Sequence, residues 1–234
     1  MTVTALVSGG KDSVYAAYLA DTQGWPVEEL VTLRPRDPES MMFHTPNLDL
    51  VELQAEAWGK RHRTVPVTDP GEPGELEALD RALKGATGPV VAGAIASSYQ
   101  WARLLRIADR HGRRVYAPLW RKEPGTVVRE EILAGLDIRF VHLSAEPLPA
   151  AWLGERLDLA RLTELERIHR EVRQVNVAGE GGEYETLVVD APFFASRIEV
   201  DRARTEVDRS TGRLVISSAH LKRKTTVGPS SSGP

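Results

Sequence analysis

Thr2-Val3-Thr4-Ala5-Leu6-Val7-Ser8-Gly9-Gly10-Lys11-Asp12-Ser13-Val14 opens the chain and decides its fold class. Residues 2–7 are apolar or β-branched and read as a buried strand. Two glycines then let the backbone turn tightly. A helix is predicted over residues 11–23, with Val14, Ala17 and Tyr18 at core-facing spacing and Gly24 as its stop. A strand that runs through a glycine turn straight into a helix sets the helix's unpaired first-turn N–H groups beside the turn. With the helix dipole, they favour an anion there. Ser8 and Ser13 add hydroxyl donors, Lys11 a compact positive charge, and Asp12 an acid able to hold magnesium through water. The spacing is neither G-x-x-x-x-G-K-[ST] nor G-x-G-x-x-G, so it belongs to neither of those phosphate-binding loops.

The same alternation continues down the chain. Strands are predicted over residues 29–33, 64–67, 90–95 and 115–119, and helices over 49–62, a short stretch ending near Gly85, and 99–111. Residues 34–46 form a long proline-containing loop, which in a compact domain is more often functional or mobile than idle. Short strands alternating with amphipathic helices imply an α/β protein with a parallel sheet. After Trp120 the character changes. A helix over 127–136, a strand over 138–143 and a long helix over 153–172 are followed by β-structure from Asn176, with Ser210-Thr211-Gly212-Arg213 as a turn. The expected division is 1–120, 121–224 and a Ser/Gly/Pro-rich disordered tail over 225–234. Lys222-Arg223-Lys224 reads as a solvated lead into that tail.

Composition bounds the chemistry. The 234 residues carry a net charge of -3, with 41% hydrophobic and 27% charged residues, the balance of an ordinary soluble domain. That charge disfavours a nucleic-acid partner bound through a broad basic surface. With no cysteine, disulfides, thiolate metal sites and cysteine nucleophiles are excluded. The N-terminus lacks a signal-peptide pattern, and no apolar run reaches the ~18 residues of a membrane span, so a soluble cytoplasmic protein is expected.

Ser8-Gly9-Gly10-Lys11-Asp12-Ser13 resembles the signature of the N-type ATP pyrophosphatases. The resemblance implies a Rossmann-like (HUP-type) parallel sheet with helices on both faces, followed by a smaller α+β C-terminal domain. It also implies pyrophosphate binding by residues 8–13, Lys11 as a catalytic charge, and ATP with Mg2+ as cofactors. Three further clusters narrow it: Met42-Phe43-His44-Thr45-Pro46, then Gly93-Ala94-Ile95-Ala96-Ser97-Ser98-Tyr99-Gln100 with Arg103, and Gly179-Glu180-Gly181-Gly182-Glu183-Tyr184-Glu185-Thr186. With Pro118-Leu119-Trp120 these are similar to the diphthine–ammonia ligase family, which amidates diphthine on translation elongation factor 2. Two positions depart from that family's pattern: Ser98 stands where an acid is common, and Trp101 where an arginine is common.

The octet over residues 179–186 supports a functional reading from its residue types. Three glycines among three carboxylates cost backbone entropy in a turn, and they let Glu180 and Glu183 approach a ligand. Such carboxylates can bind ammonium, take its proton, or help hold magnesium. Taken alone, the octet also reads as a solvated acidic hairpin. If a strand starts at Tyr184, Glu183 and Glu185 share a face. Ser97 reads as an N-cap, while Tyr99, Gln100 and Arg103 follow at a helix start where α/β ligands bind. With His44, brought in by the resemblance of its loop to the family motif, the candidate substrate contacts are Ser97, Tyr99, Gln100, Arg103, Gly181, Gly182, Tyr184 and Glu185, with Gly93 beside the nucleotide. Trp120 reads as a wall residue. The partners expected are diphthine-bearing elongation factor 2 and ammonium, with no membrane; a homo-oligomer is left open. The alternatives are a related ligase acting on another carboxylate, and a non-catalytic module that binds ATP or AMP.

Overall fold

A computed structural model of the chain describes residues 1–35, 47–69, 71–144, 146–172, 175–208 and 211–225. Its first strand, β1 (Val3–Leu6), sends Val3 and Ala5 into one apolar cluster and Leu6 against another, so both faces are covered. β1 lies between β2 (Val27–Pro35) and β4 (Val90–Val91), with β3 (Arg61–Val67) and β5 (Val115–Tyr116) outside. The five strands run parallel in the order β3-β2-β1-β4-β5. Helices α1 (Lys11–Thr22) and α2 (Leu50–Trp58) pack on the side of Val3 and Ala5. Helices α3 (Gly71–Lys84) and α4 (Ser98–Arg110) pack on the side of Val31 and Val90. The expected α/β core is present.

The rest of the chain builds α5 (Pro124–Leu133), β6 (Asp137–Leu143), α6 (Leu159–Glu171), β7 (Tyr184–Asp190), β8 (Ser196–Asp208) and β9 (Thr211–Arg223). The strands form an antiparallel sheet in the order β7-β6-β9-β8. Its residues Ile138, Phe140 and Val188 share one buried cluster with Val14 and Tyr15 of α1. Polar bonds reinforce this apolar contact, because the outer edge of β7 is sewn to the phosphate loop. Val188 N donates to Gly9 O at 3.0 Å, and Lys11 N donates to Thr186 Oγ1 at 3.2 Å. The amide of Gln54 in α2 bridges the seam, donating to Gly9 O at 2.9 Å and to Val188 O at 2.7 Å.

Several expected boundaries shift. The helix expected to reach residue 62 stops at Trp58, where Gly59 turns left-handed at φ 69° and Lys60 N bonds Ala55 O. The short helix expected to end near Gly85 begins at Gly71, and Pro73 in its first turn lacks only an N–H that would have no partner. The strands expected over 90–95 and 115–119 are two residues each. The helix expected over 153–172 begins only at Leu159, capped by Asp158, whose carboxylate accepts from Arg161 N at 2.9 Å. Before it, residues 154–157 run beside β6, with Gly154 N donating to Phe140 O and Leu157 N to Ile138 O, both at 2.9 Å.

The basic triplet is not a loose lead. Lys222 and Arg223 end β9, paired with Arg197 and Ser196, and Lys224 meets Asp190 at 2.6 Å. His44 and its loop neighbours, most of the expected tail, and Ser210 of the expected turn lie outside the described residues. Among the described residues, no helix is long and apolar enough to cross a membrane.

Candidate active site

A cleft of about 320 Å³ opens where β1, β2 and β4 end. It lies at the switch point of the sheet, where successive connections from β1 and β4 leave in opposite directions. One end is polar, lined by Ser8, Asp12, Ser13 and Glu180; the other is an apolar slot between Leu33, Leu76, Leu79 and Leu104. Those two ends suit the two halves of a nucleotide, its phosphates and its base.

The loop over residues 8–13 is held by bonds of its own serines. Ser8 N donates to Ser13 Oγ at 3.2 Å, and Ser13 Oγ donates to Gly10 O at 3.0 Å. Gly10 is the N-cap of α1 and has no side chain to cap the helix; Thr186 Oγ1 takes Lys11 N, and the positive end of the dipole lies beside the cleft. Gly93 lets β4 approach this turn. A Cβ there would stand 2.7 Å from the backbone carbon and oxygen of Asp12 and from Ser13 N. Gly93 therefore acts as a clearance residue, beside the nucleotide position expected for it.

The octet reaches the same cleft from the other sheet. Glu180 lines the polar end, and its Oε2 accepts from Ala96 N at 3.0 Å. Burial pushes its carboxyl above the ordinary value, the Ala96 N–H opposes that, and the Asp12 charge adds to it. Glu183 is turned elsewhere. Its two oxygens accept from Asn176 N and Gly181 N, both at 2.9 Å, so it closes the turn from within and does not line the cleft. Gly179, at φ 74°, takes a conformation that an L side chain rarely adopts. Gly181 and Gly182 complete the turn, Gly182 N donating to Gly179 O.

Tyr184 is buried, its hydroxyl donating to Val177 O at 2.6 Å. Glu185 sits opposite His142 across β6 and β7, with Oε2 buried and without a hydrogen bond. Burial pushes its carboxyl up to about 7.

Lys11 departs most from its expected place. Its ammonium is 1% exposed and points inward. It donates to both Asp12 oxygens at 2.7 and 2.8 Å and to Ala178 O at 2.9 Å, and Glu131 of α5 stands 3.8 Å away. The ammonium is thus not among the groups lining the cleft, and the expected direct charge on pyrophosphate is not what this geometry presents. Glu131 is fully buried, and neither oxygen makes a hydrogen bond of ordinary geometry. Burial and then the Asp12 charge hold its carboxyl well above the usual range, with Lys11 opposing.

At the cleft's rim, Ser97 caps α4 as expected, its Oγ accepting from Gln100 N at 3.3 Å. Tyr99 and Arg103 line the cleft but are bonded to a residue that sequence reasoning missed, Glu72 of α3. Arg103 Nε donates to Glu72 at 2.8 Å, and the guanidinium lies over the Tyr99 ring. The Tyr99 hydroxyl and Arg103 hold the Glu72 carboxyl below its ordinary value. Trp120 stacks on Trp101 at 4.8 Å and does not line the cleft. Glu75 and Glu131 were also missed. Glu131 carried one signal, because it stands four residues after Val127 on the buried stripe of α5.

Known families match this chain along its length. The family model described as diphthamide synthase N-terminal domain matches residues 1–115, and that described as diphthamide synthase C-terminal domain matches residues 123–222. A diphthine–ammonia ligase from Danio rerio is 31% identical over 257 residues, covering 97% of this chain and 99% of the relative. One from Rattus norvegicus is 30% identical over 260 residues, covering 98% and 96%. The Homo sapiens protein of that name is 31% identical over 232 residues, covering 88% and 85%. A solved structure described as a predicted subunit of tRNA methyltransferase from Methanocaldococcus jannaschii covers 82% of this chain and 98% of that one. Its TM-score is 0.45 at 18% identity, a likeness too loose to bear on function.

Proposed function

The chain belongs to the diphthine–ammonia ligase family, and from that membership we propose that it amidates diphthine on elongation factor 2 to diphthamide, using ATP and ammonium. The observation that carries the proposal is the cleft itself, where the phosphate loop of one sheet meets Glu180 of the other. In this reading residues 1–120 hold the nucleotide and residues 121–224 handle ammonia.

ATP lies with its phosphates at the N-terminus of α1 and the Ser8 and Ser13 hydroxyls, and its base in the slot of Leu33, Leu76, Leu79 and Leu104. Among the described residues no three acids or histidines cluster to cage a metal. One carboxylate at the cleft, Asp12, fits a magnesium ion carried on the phosphates, since that ion commonly takes only one or two protein carboxylates. Bound there, the ion would neutralise charge on the leaving pyrophosphate.

The substrate carboxylate oxygen attacks the α-phosphorus and the α–β bridge breaks, giving acyl-adenylate and pyrophosphate. The α1 dipole and the serine hydroxyls stabilise the charge that develops on pyrophosphate. Ammonia then attacks the acyl carbon, AMP leaves with the C–O electron pair, and Glu180 takes the surplus proton from nitrogen. Glu183 keeps the turn that carries Glu180 in shape. Tyr99, Gln100 and Arg103 face the incoming substrate at the rim.

Incubation with ATP, magnesium, ammonium and diphthine-bearing elongation factor 2 tests this. Expected are AMP, pyrophosphate and a mass loss of about one unit on the factor, from acid to amide. AMP without the mass change would transfer the chemistry to another acid. Bound ATP with neither product would leave a nucleotide-binding module.

A further inference from the structure

The Lys11 ammonium has its donors committed inside the protein, to Asp12 and to Ala178 O, with Glu131 beyond. None is left pointing at the cleft. Swinging the side chain out to a phosphate would leave a buried carbonyl and a fully buried carboxyl without their cation. What the ammonium does touch is informative. Ala178 stands two residues before Glu180, and its own N–H is fixed by Asn176 Oδ1 at 2.8 Å. The chain from Asn176 to Glu183 is closed by the Glu183 carboxylate, so it moves as one turn. The point where Lys11 grips this turn is therefore also what aims Glu180. Asp12, on the other side of the same ammonium, is a cleft residue.

We propose that Lys11 and Glu131 are positioning residues: the Lys11 ammonium is a buried strut from the phosphate loop to Ala178, Glu131 is its second anchor, and together they hold Glu180 and Asp12 at one cleft. The proposal rests on the ligase reading of that cleft for its kinetic consequence, but not for the strut itself.

The test compares Lys11→Met, Lys11→Met/Glu131→Met, Glu131→Leu and Glu131→Gln with the wild type. Equilibrium ATP affinity, amidation kinetics and amide hydrogen exchange over residues 176–183 are measured on each. The double variant removes both buried ionisable groups at once and serves in place of Lys11→Met if that variant alone does not fold. Expected for it are ATP affinity within about threefold of wild type, a kcat lower by roughly 100-fold, and exchange over the turn faster by about tenfold or more. Glu131→Gln keeps an oxygen beside Lys11 and retains at least about a third of kcat, whereas Glu131→Leu loses about tenfold or more.

ATP affinity lower by more than about tenfold, with kcat and exchange unchanged, would overturn the strut and make Lys11 a phosphate ligand. Wild-type protein that makes no AMP would sink the ligase reading instead, and the exchange comparison would still decide the strut.

Discussion

The phosphate loop and the glycine–glutamate octet meet in one cleft but are built in opposite ways. The loop's turn is local: strand, two glycines and a helix N-terminus follow one another, and Ser8 and Ser13 bond each other and Gly10 within the motif, while Gln54, Thr186 and Val188 fasten that turn to its neighbours. The octet's aim depends on remote partners. Ala96 N donates to Glu180, Lys11 grips Ala178, and Ser144 N donates to Glu183 O. A motif whose bonds close within itself can be read from its residues, whereas one held by distant groups reveals that something is bound without revealing what faces it.

That contrast can be broken first at Gly93, the clearance between β4 and the loop. Gly93→Ala forces a Cβ against backbone atoms at 2.7 Å, which cannot move aside as a flexible side chain would. Stability in denaturant should fall by about 3 kcal/mol, with ATP binding lost or strongly weakened. Near wild-type values for both would mean the loop does not need this close approach.

The octet side is sharpened by Glu185. Its carboxyl is raised from 4.5 to about 7 by burial, so the folded protein holds a proton that the unfolded chain has already released. The associated stability is whole below 4.5 and lost as pH rises through about 7. Unfolding free energy should fall by roughly 3 kcal/mol across that window. Glu185→Gln should flatten this part of the profile; an unchanged slope would show that Glu185 is not its source.

The smallest effect is expected at Ser97, whose bond lies within its own helix turn. Ser97→Ala should cost about 1 kcal/mol, with amidation close to wild type. A large loss of rate would turn the cap into a substrate contact.

Legibility follows the same division. The apolar run of β1 and its passage into α1 suffice to read the parallel core, because the central strand buries both faces and the helices show their stripes. Residues 153–172 misled because their apolar spacing is helical throughout. The pairing of 154–157 with β6 is a tertiary contact, although Asp158 followed by Arg161 marked the true helix start. Glu180 was legible as a carboxylate among glycines. Glu183 looked the same and has another task, since only the fold shows its oxygens turned to Asn176 N and Gly181 N. Glu72 and Glu131 sit in ordinary helices, and their meaning comes from the Arg103 and Lys11 that other segments bring to them.

The central claim is that the loop and the octet perform separate halves of one reaction. Glu180→Gln tests it directly, by measuring pyrophosphate–ATP exchange with the acid substrate and no ammonium, alongside full amidation. The account predicts exchange within about threefold of wild type and amide formation lower by roughly 100-fold. Equal losses in both, or neither changed, would contradict it.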